Sequence, residues 1–344
     1  MFGVLTAISA IIAFAVTFLS GYIIIPLMHK LKYGQTILEI GPKWHKNKQG
    51  TPTMGGIMFV IGIAISLLAT MPLINVLGPA ELKTQLGEMR QIVSLVAGLA
   101  LAVSMSLIGF IDDYIKVVKK QNLGLTAKQK TLMQLLVSAA YLTSMYLSGM
   151  TYTKIPFIGN VDLDRGIGLL FWPIALMFVY GFTNAVNLTD GIDGLASSVT
   201  VVAAIFITFM AALPSVNQAI PAYLSVIFAA ALLGFLIWNK NPAKVFMGDT
   251  GSMFLGGMVV ALVFMLEYPI ILLLTGVVYL CEAMSVVIQV IYFKKTGKRL
   301  FKMSPIHHHF ELSKWSENKI DIVFSLVGAI GGLLSMVLIV LSNL

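Results

Sequence analysis

The chain has 344 residues, of which 58% are hydrophobic and only 11% charged, against about 25% charged in an ordinary soluble domain. A soluble globule of this size needs a charged skin that this mixture cannot supply, and disordered, collagen-like and disulfide-stapled classes fall with it: the single cysteine, Cys281, lies in an apolar run. An all-α polytopic membrane protein remains, with a mean hydropathy of +0.91, room for about ten spans of ~20 residues and a net charge of +8 that orients the chain or receives anionic lipid or substrate.

Hydropathy predicts spans over residues 3–27, 55–74, 91–111, 131–150, 166–186, 195–213, 221–238, 250–268, 269–293 and 320–342. No basic stretch precedes the first, and its charges follow it (His29, Lys30, Lys32). It therefore reads as an uncleaved span entering from outside rather than as a signal peptide. The connections 28–54, 112–130, 187–194, 239–249 and 294–319 hold 19 of the 23 Lys and Arg residues; the alternate set holds Lys83, Arg90, Lys154 and Arg165. By the positive-inside bias the first set is cytoplasmic and both termini lie outside. No long-period repeat or low-complexity linker interrupts the chain, so residues 1–344 read as one transmembrane domain. The unusual polar residues concentrate in the basic set of loops, which places an active-site cleft on the cytoplasmic face.

In chain order, the first polar stretch runs from Lys46 and Lys48 through Gly50-Thr-Pro-Thr53-Met-Gly-Gly56. Glycine, threonine and lysine together suit an anion-contacting loop, although the spacing is not that of a P-loop. The second is Gly109-Phe-Ile-Asp112-Asp113-Tyr114-Ile-Lys116. Two adjacent carboxylates at a membrane boundary are costly unless they hold a cation or a proton. On a continuing helix Asp112 and Lys116 share a face at i,i+4, while Asp113 points about 100° away, giving the two acids different jobs. The plain alternative is a solvated helix end.

The third stretch, Asn184-Ala-Val-Asn187-Leu-Thr-Asp190-Gly191-Ile192-Asp193-Gly194, repeats polar residues every three positions. That spacing puts Asn184, Asn187 and Asp190 on one slowly rotating face, and the glycines permit close approach to a ligand; an ordinary turn between spans is the alternative. The fourth runs from Asn239 through Phe246-Met-Gly248-Asp249-Thr-Gly-Ser252. A carboxylate at this helix start suits Mg²⁺ bridging phosphates, unless it only caps the helix, and Phe246 suits stacking on a base. The fifth, Ser304-Pro-Ile-His307-His308-His309-Phe310-Glu311, follows five basic residues. Adjacent imidazoles rarely converge on one metal ion and better suit donation to a diphosphate, with simple surface histidines as the alternative. Carboxylates for Mg²⁺, lysines and histidines for phosphates and an aromatic for a base are the ingredients of phosphoryl transfer.

These same motifs, Asp112-Asp113-Tyr114 with Lys116, Asn187 to Gly194, Phe246 to Ser252, Pro305 to Glu311 and Gly50 to Gly56, resemble those of the bacterial phospho-N-acetylmuramoyl-pentapeptide transferase family, over essentially the whole chain. The resemblance implies transfer of phospho-N-acetylmuramoyl-pentapeptide from its UDP carrier to undecaprenyl phosphate, giving lipid I and UMP in peptidoglycan synthesis. It implies Mg²⁺ on Asp249, a catalytic group of Asp112, Asp113, Lys116, Asp190 and His308, and substrate contacts from Lys48, Thr53, Asn187, Gly191, Ile192, Asp193, Asn239, Phe246, His307 and His309. Ile192 stands where the family commonly has leucine. A lysine in 116–130 meets the lipid phosphate. The family implies a homodimer in the bacterial inner membrane, with membrane lipid as surroundings and no nucleic acid partner. Three alternatives stay beside this reading. A related transferase would take UDP-N-acetylglucosamine, against which the histidine triplet argues. A membrane prenyltransferase would show a second Asp-rich motif. A nucleotide-sugar transporter would place its acids near the midplane, where Glu282 alone fits.

Overall fold

The computed structural model describes residues 3–30, 48–119 and 123–344; Lys32 and Lys46, named above, and Lys120 within the range 116–130 lie outside them. The helices in chain order are α1 (Val4–Lys30), α2 (Ile57–Thr70), α3 (Ile74–Leu77), α4 (Ala80–Gln85), α5 (Met89–Val118), α6 (Ala127–Leu147), α7 (Phe171–Thr189), α8 (Leu195–Ala212), α9 (Ala219–Asn239), α10 (Gly248–Met265), α11 (Leu272–Thr275), α12 (Val277–Thr296), α13 (Ile306–Glu311) and α14 (Glu317–Ser342). Among the described residues nine helical segments are long and apolar enough to cross a membrane. The expected fourth span is also a helix: α6 has 21 residues, about 31 Å at 1.5 Å per residue. Lys128 and Lys130 in its first turn and the buried Gln134 make it the most polar of the long helices. The all-α polytopic expectation is met.

The core is organised around α10. Every residue from Thr250 to Met265 is buried, so α10 reads apolar all round, as a helix enclosed by other helices should. It packs on α5, α7, α8, α9 and α2. Without a hydrophobic force between helices in lipid, tight association depends on small residues that let backbones approach. Gly109 of α5 does this at the functional end: a Cβ there would lie 2.1 Å from the Asp249 carbonyl oxygen. That approach brings the C-terminal end of α5 and the N-terminal end of α10 together, and with them Asp112, Asp113 and Asp249.

Two departures from the sequence expectation concern connections. The eighth and ninth spans, expected to abut at 268 and 269, are separated by a longer connection. α10 stops at Met265, Glu267 takes a positive φ of 66°, Pro269–Ile271 form a 3₁₀ turn, and α12 begins only after α11 and Gly276. Second, a hairpin of β1 (Tyr152–Ile155) and β2 (Gly159–Asp162) pairs antiparallel between α6 and α7, with Tyr152 opposite Asp162. Both features meet at Glu267, which takes Arg90 at 2.8 Å, Lys154 at 3.1 Å and the Tyr152 hydroxyl at 3.1 Å. The hairpin backbone adds the Lys154 N–H to the Glu267 carbonyl. This buried carboxylate thus has charged partners on two sides, the condition for its burial to be tolerable. It fastens the end of the bundle opposite the aspartates.

Candidate active site

The α5 helix runs unbroken through Asp112 and Asp113 to Val118, so the expected i,i+4 pairing forms: Lys116 Nζ lies 2.5 Å from Asp112 Oδ2. The same ammonium is 3.2 Å from Asp249 Oδ2 and 3.9 Å from Asp113 Oδ1. One oxygen from each of Asp112, Asp113 and Asp249 falls within 4.8 Å of the others. Lys116 therefore stands among three carboxylates whose mutual repulsion it offsets. Hard carboxylate oxygens at this separation also match the donor preference of Mg²⁺.

The two neighbouring aspartates are held differently. Asp113, 4% exposed, accepts both the backbone N–H and the hydroxyl of Thr250 on Oδ2, at 2.9 and 2.8 Å. Its second oxygen faces Lys116. Asp112, 3% exposed, accepts the Leu125 N–H at 2.7 Å, which draws the segment before α6 over the site. Asp113 is thus clamped to the start of α10, and Asp112 to the entry of α6. The first-turn amide of Thr250, a natural anion donor at a helix start, is taken by Asp113.

Asp249 is the shared acceptor. Lys130 Nζ reaches its Oδ2 at 2.8 Å and Asn187 Nδ2 donates to its Oδ1 at 3.0 Å. Asn187 Nδ2 also lies 2.7 Å from Ser252 Oγ. Lys130 is one of the lysines of 116–130 among which the sequence does not choose, and with Lys116 it reaches Asp249. Its signal was available: Thr126 and Gln129 form a capping box that starts α6, which fixes Lys130 in the first turn beside the acids. Asn184, one turn before Asn187, pairs instead with Gln134 of α6, donating at 3.0 Å.

Asp190 ends α7 and is half-buried. Loss of water around it, then the negative charges of Asp249, Asp113 and Asp193, push its carboxyl well above the ordinary carboxylate range. Gly191 follows beneath the His307 ring: a Cβ there would sit 2.1 Å from His307 Nε2. Only glycine fits that gap.

The three histidines of the short helix α13 take different partners, although the His307 and His308 rings stay in contact, their centroids 4.1 Å apart. His307 is fully buried, with Nδ1 3.0 Å from Glu282 Oε2. Glu282 is thereby paired to another element rather than open to a midplane path. His308 Nδ1 lies 2.6 Å from Glu311 Oε2. His309 points away, and its Nδ1 accepts the Lys302 N–H at 3.1 Å.

The remaining sequence candidates form a neighbouring layer. Lys48 bridges Asp193 at 2.7 Å and Glu317 of α14 at 2.6 Å. Asp193 Oδ2 also accepts Asn241 Nδ2 and the Ala243 N–H, at 3.1 and 2.9 Å. Asn239 is buried, accepting Ser197 Oγ at 2.8 Å and donating to the Val245 carbonyl at 3.0 Å. Ile192 is buried in the core. Phe246 is half-buried; its N–H donates to the Pro52 carbonyl at 2.8 Å, and its carbonyl accepts the Gly55 N–H at 2.8 Å. This pairing carries buried Thr53 to the start of α10. Glu317 and Leu125 are site members that only the packing identifies, since nothing local in the sequence pairs them with Lys48, Asp193 or Asp112.

Residues 95–267 match the family model described as glycosyl transferase family 4. Residues 48–60 match the first phospho-N-acetylmuramoyl-pentapeptide-transferase signature. Among curated proteins the chain is similar to the phospho-N-acetylmuramoyl-pentapeptide-transferase of Clostridium beijerinckii, 44% identical, covering 93% of this chain and 92% of that one. The same-named protein of Staphylococcus carnosus is 43% identical over 95% and 97%. That of Listeria monocytogenes serotype 4b is 42% identical over 96% of each chain.

Proposed function

The chain belongs to the phospho-N-acetylmuramoyl-pentapeptide-transferase family, and from that membership we propose how its site works. It is a membrane enzyme of peptidoglycan synthesis. The donor is UDP-N-acetylmuramoyl-pentapeptide and the acceptor undecaprenyl phosphate. A non-bridging oxygen of the lipid phosphate forms a bond to the phosphorus next to the sugar. The bond from that phosphorus to the bridging oxygen breaks, and UMP leaves with that oxygen, so the product is the lipid-linked diphosphate. The observation that carries this assignment is the cluster of Asp112, Asp113 and Asp249 with two lysines in reach.

Asp249, with Asp112 and Asp113 beside it, would hold Mg²⁺, which when bound supplies positive charge to the phosphates. Lys116 and Lys130 supply further positive charge at the same place, and phosphoryl transfer needs such neutralisation more than covalent chemistry. Lys130, at the entry of α6, is the residue we assign to the lipid phosphate. Asp112 takes the proton of the acceptor phosphate, while Asp113, clamped by Thr250, orients α10. Asp190, His308 and Asn187 line the same cleft. Phe246 stacks on the base, and Lys48, Asp193 and Asn239 shape the nucleoside end. Thr53 and Gly191 support that substrate surface, the buried His307 and Ile192 back it from beneath, and His309, turned to Lys302, has the weakest claim to it. Attack is direct, without a phospho-aspartate.

The cleft opens to the cytoplasm, both termini lie outside, and the protein works as a homodimer in the inner membrane. The charge bias of the loops supports the first two statements. The deciding experiment supplies UDP-N-acetylmuramoyl-pentapeptide and UDP-N-acetylglucosamine in parallel with undecaprenyl phosphate. UMP release from the first only is expected. Turnover of the second alone would remove the assignment, and a phosphorylated aspartate trapped with nucleotide substrate alone would remove direct attack.

A further inference from the structure

Glu282 is the only buried charged residue of α12. A carboxylate within a membrane-spanning helix is costly and persists where a partner holds it. Its partner comes from α13: His307 Nδ1 lies 3.0 Å from Glu282 Oε2, and the His307 backbone N–H approaches the same oxygen at 3.5 Å. Both residues are fully buried. The outer atoms of the pair, Glu282 Oε1 and His307 Nε2, have no protein hydrogen-bond partner among the described residues. The Nε2 edge of the ring instead presses on Gly191, whose missing Cβ leaves room for it. Gly191 follows Asp190, whose carboxyl feels the charges of Asp249 and Asp113. One line of contact thus runs from α12 through an imidazole to the turn beside the carboxylate cluster.

We infer that Glu282 is a positioning residue: it holds the His307 imidazole by its Nδ1–H, and the ring props the Asp190–Gly191 turn against the carboxylates. A carboxylate on the far side of an imidazole fixes both its tautomer and its orientation. Deleting the carboxylate frees the ring to rotate away from Gly191, and the turn loses its stop. The inference rests on the reaction proposed above, because Asp190 takes its role from that reaction.

The test uses the full chain in detergent with UDP-N-acetylmuramoyl-pentapeptide and undecaprenyl phosphate, following UMP release. Glu282→Leu is expected to lower kcat roughly tenfold, the scale of lost outer-shell partners, with the nucleotide KM changing by less than about twofold. Glu282→Gln, which still offers an oxygen to Nδ1–H, restores most of the rate. The double variant Glu282→Leu/His307→Gln is no slower than His307→Gln alone, because both residues act through one contact. Wild-type kcat in Glu282→Leu, an effect on KM only, or losses that multiply in the double variant would overturn the inference. Nitrogen-15 NMR of the His307 ring in the unaltered protein decides the same point if Glu282→Leu does not fold: a proton on Nδ1 supports the inference, and a ring protonated on Nε2 alone overturns it. Failure of the unaltered protein to release UMP refutes the reaction itself, a result distinct from every variant outcome.

Discussion

Asp249 is the residue on which the site converges, since Lys116, Lys130 and Asn187 all reach its two oxygens. Asp249→Asn keeps the shape and the Asn187 contact but removes the charge. Mg²⁺-dependent turnover is expected to fall by more than about a hundredfold, as for lost electrostatic groups at phosphoryl centres, while the unfolding midpoint moves little. Equal activity at ordinary Mg²⁺ would take Asp249 out of the metal role. Asp190 carries a pH signature. Its folded pKa is raised, so the folded protein keeps a proton that the unfolded chain has already lost above about pH 4. Stability from this group is therefore present at acid pH and lost as pH rises toward the folded pKa. Asp190→Asn should flatten that decline, measured as unfolding midpoints across pH 5 to 8 without added divalent cation. An unchanged slope would contradict the assignment.

At the scale of elements, the junction of α5 with α10 sets the spacing of the acids. Gly109→Ala would gain up to ~1 kcal/mol of helix propensity in a soluble helix. The added Cβ meets the Asp249 carbonyl and the Thr250 nitrogen, backbone atoms that cannot rotate aside, and overpacking of this kind costs about 1–3 kcal/mol. The clash wins, so the variant is expected to be less stable and nearly inactive, even though Gly109 touches no substrate. Wild-type activity in a stable Gly109→Ala protein would show that the two helices have slack. The hairpin and the broken connection from α10 to α12 belong to this scale as well. Neither showed in the hydropathy pattern, because an apolar run reports the presence of a span and not how its ends are fastened. Glu267 does the fastening, and its partners Arg90 and Lys154 lie more than a hundred positions away in sequence.

For the whole molecule, the distribution of charge predicts orientation. With Cys281 replaced by serine, single cysteines at Lys83 and Lys298 give a direct test with a membrane-impermeant thiol reagent. In intact cells the cysteine replacing Lys83 should be labelled, and that replacing Lys298 only after the membrane is opened. The reverse pattern would invert the topology and put the aspartates on the outside. Lys116 and Lys130, both from one of these basic stretches, reach the acidic cluster; on the proposed reaction the excess of lysine and arginine would serve both to orient the chain and to receive phosphate-bearing substrates.

The sequence by itself determined that this is a helical membrane protein, roughly where its spans lie, and which short motifs hold acids, lysines and histidines. Those follow from local rules: apolar length, helical period and the cost of charge in lipid. It also determined the i,i+4 contact of Asp112 with Lys116, because that pair needs only a continuous helix. The tertiary structure decided everything that depends on two elements meeting. It brought Lys116 and Lys130 together on Asp249, clamped Asp113 on Thr250 and buried His307 against Glu282 and Gly191. It also tied Lys48 to Glu317 across most of the chain. Helices in a bilayer pack through small residues and buried polar contacts rather than through a periodic apolar face, and contacts of that kind leave no regular pattern along the sequence.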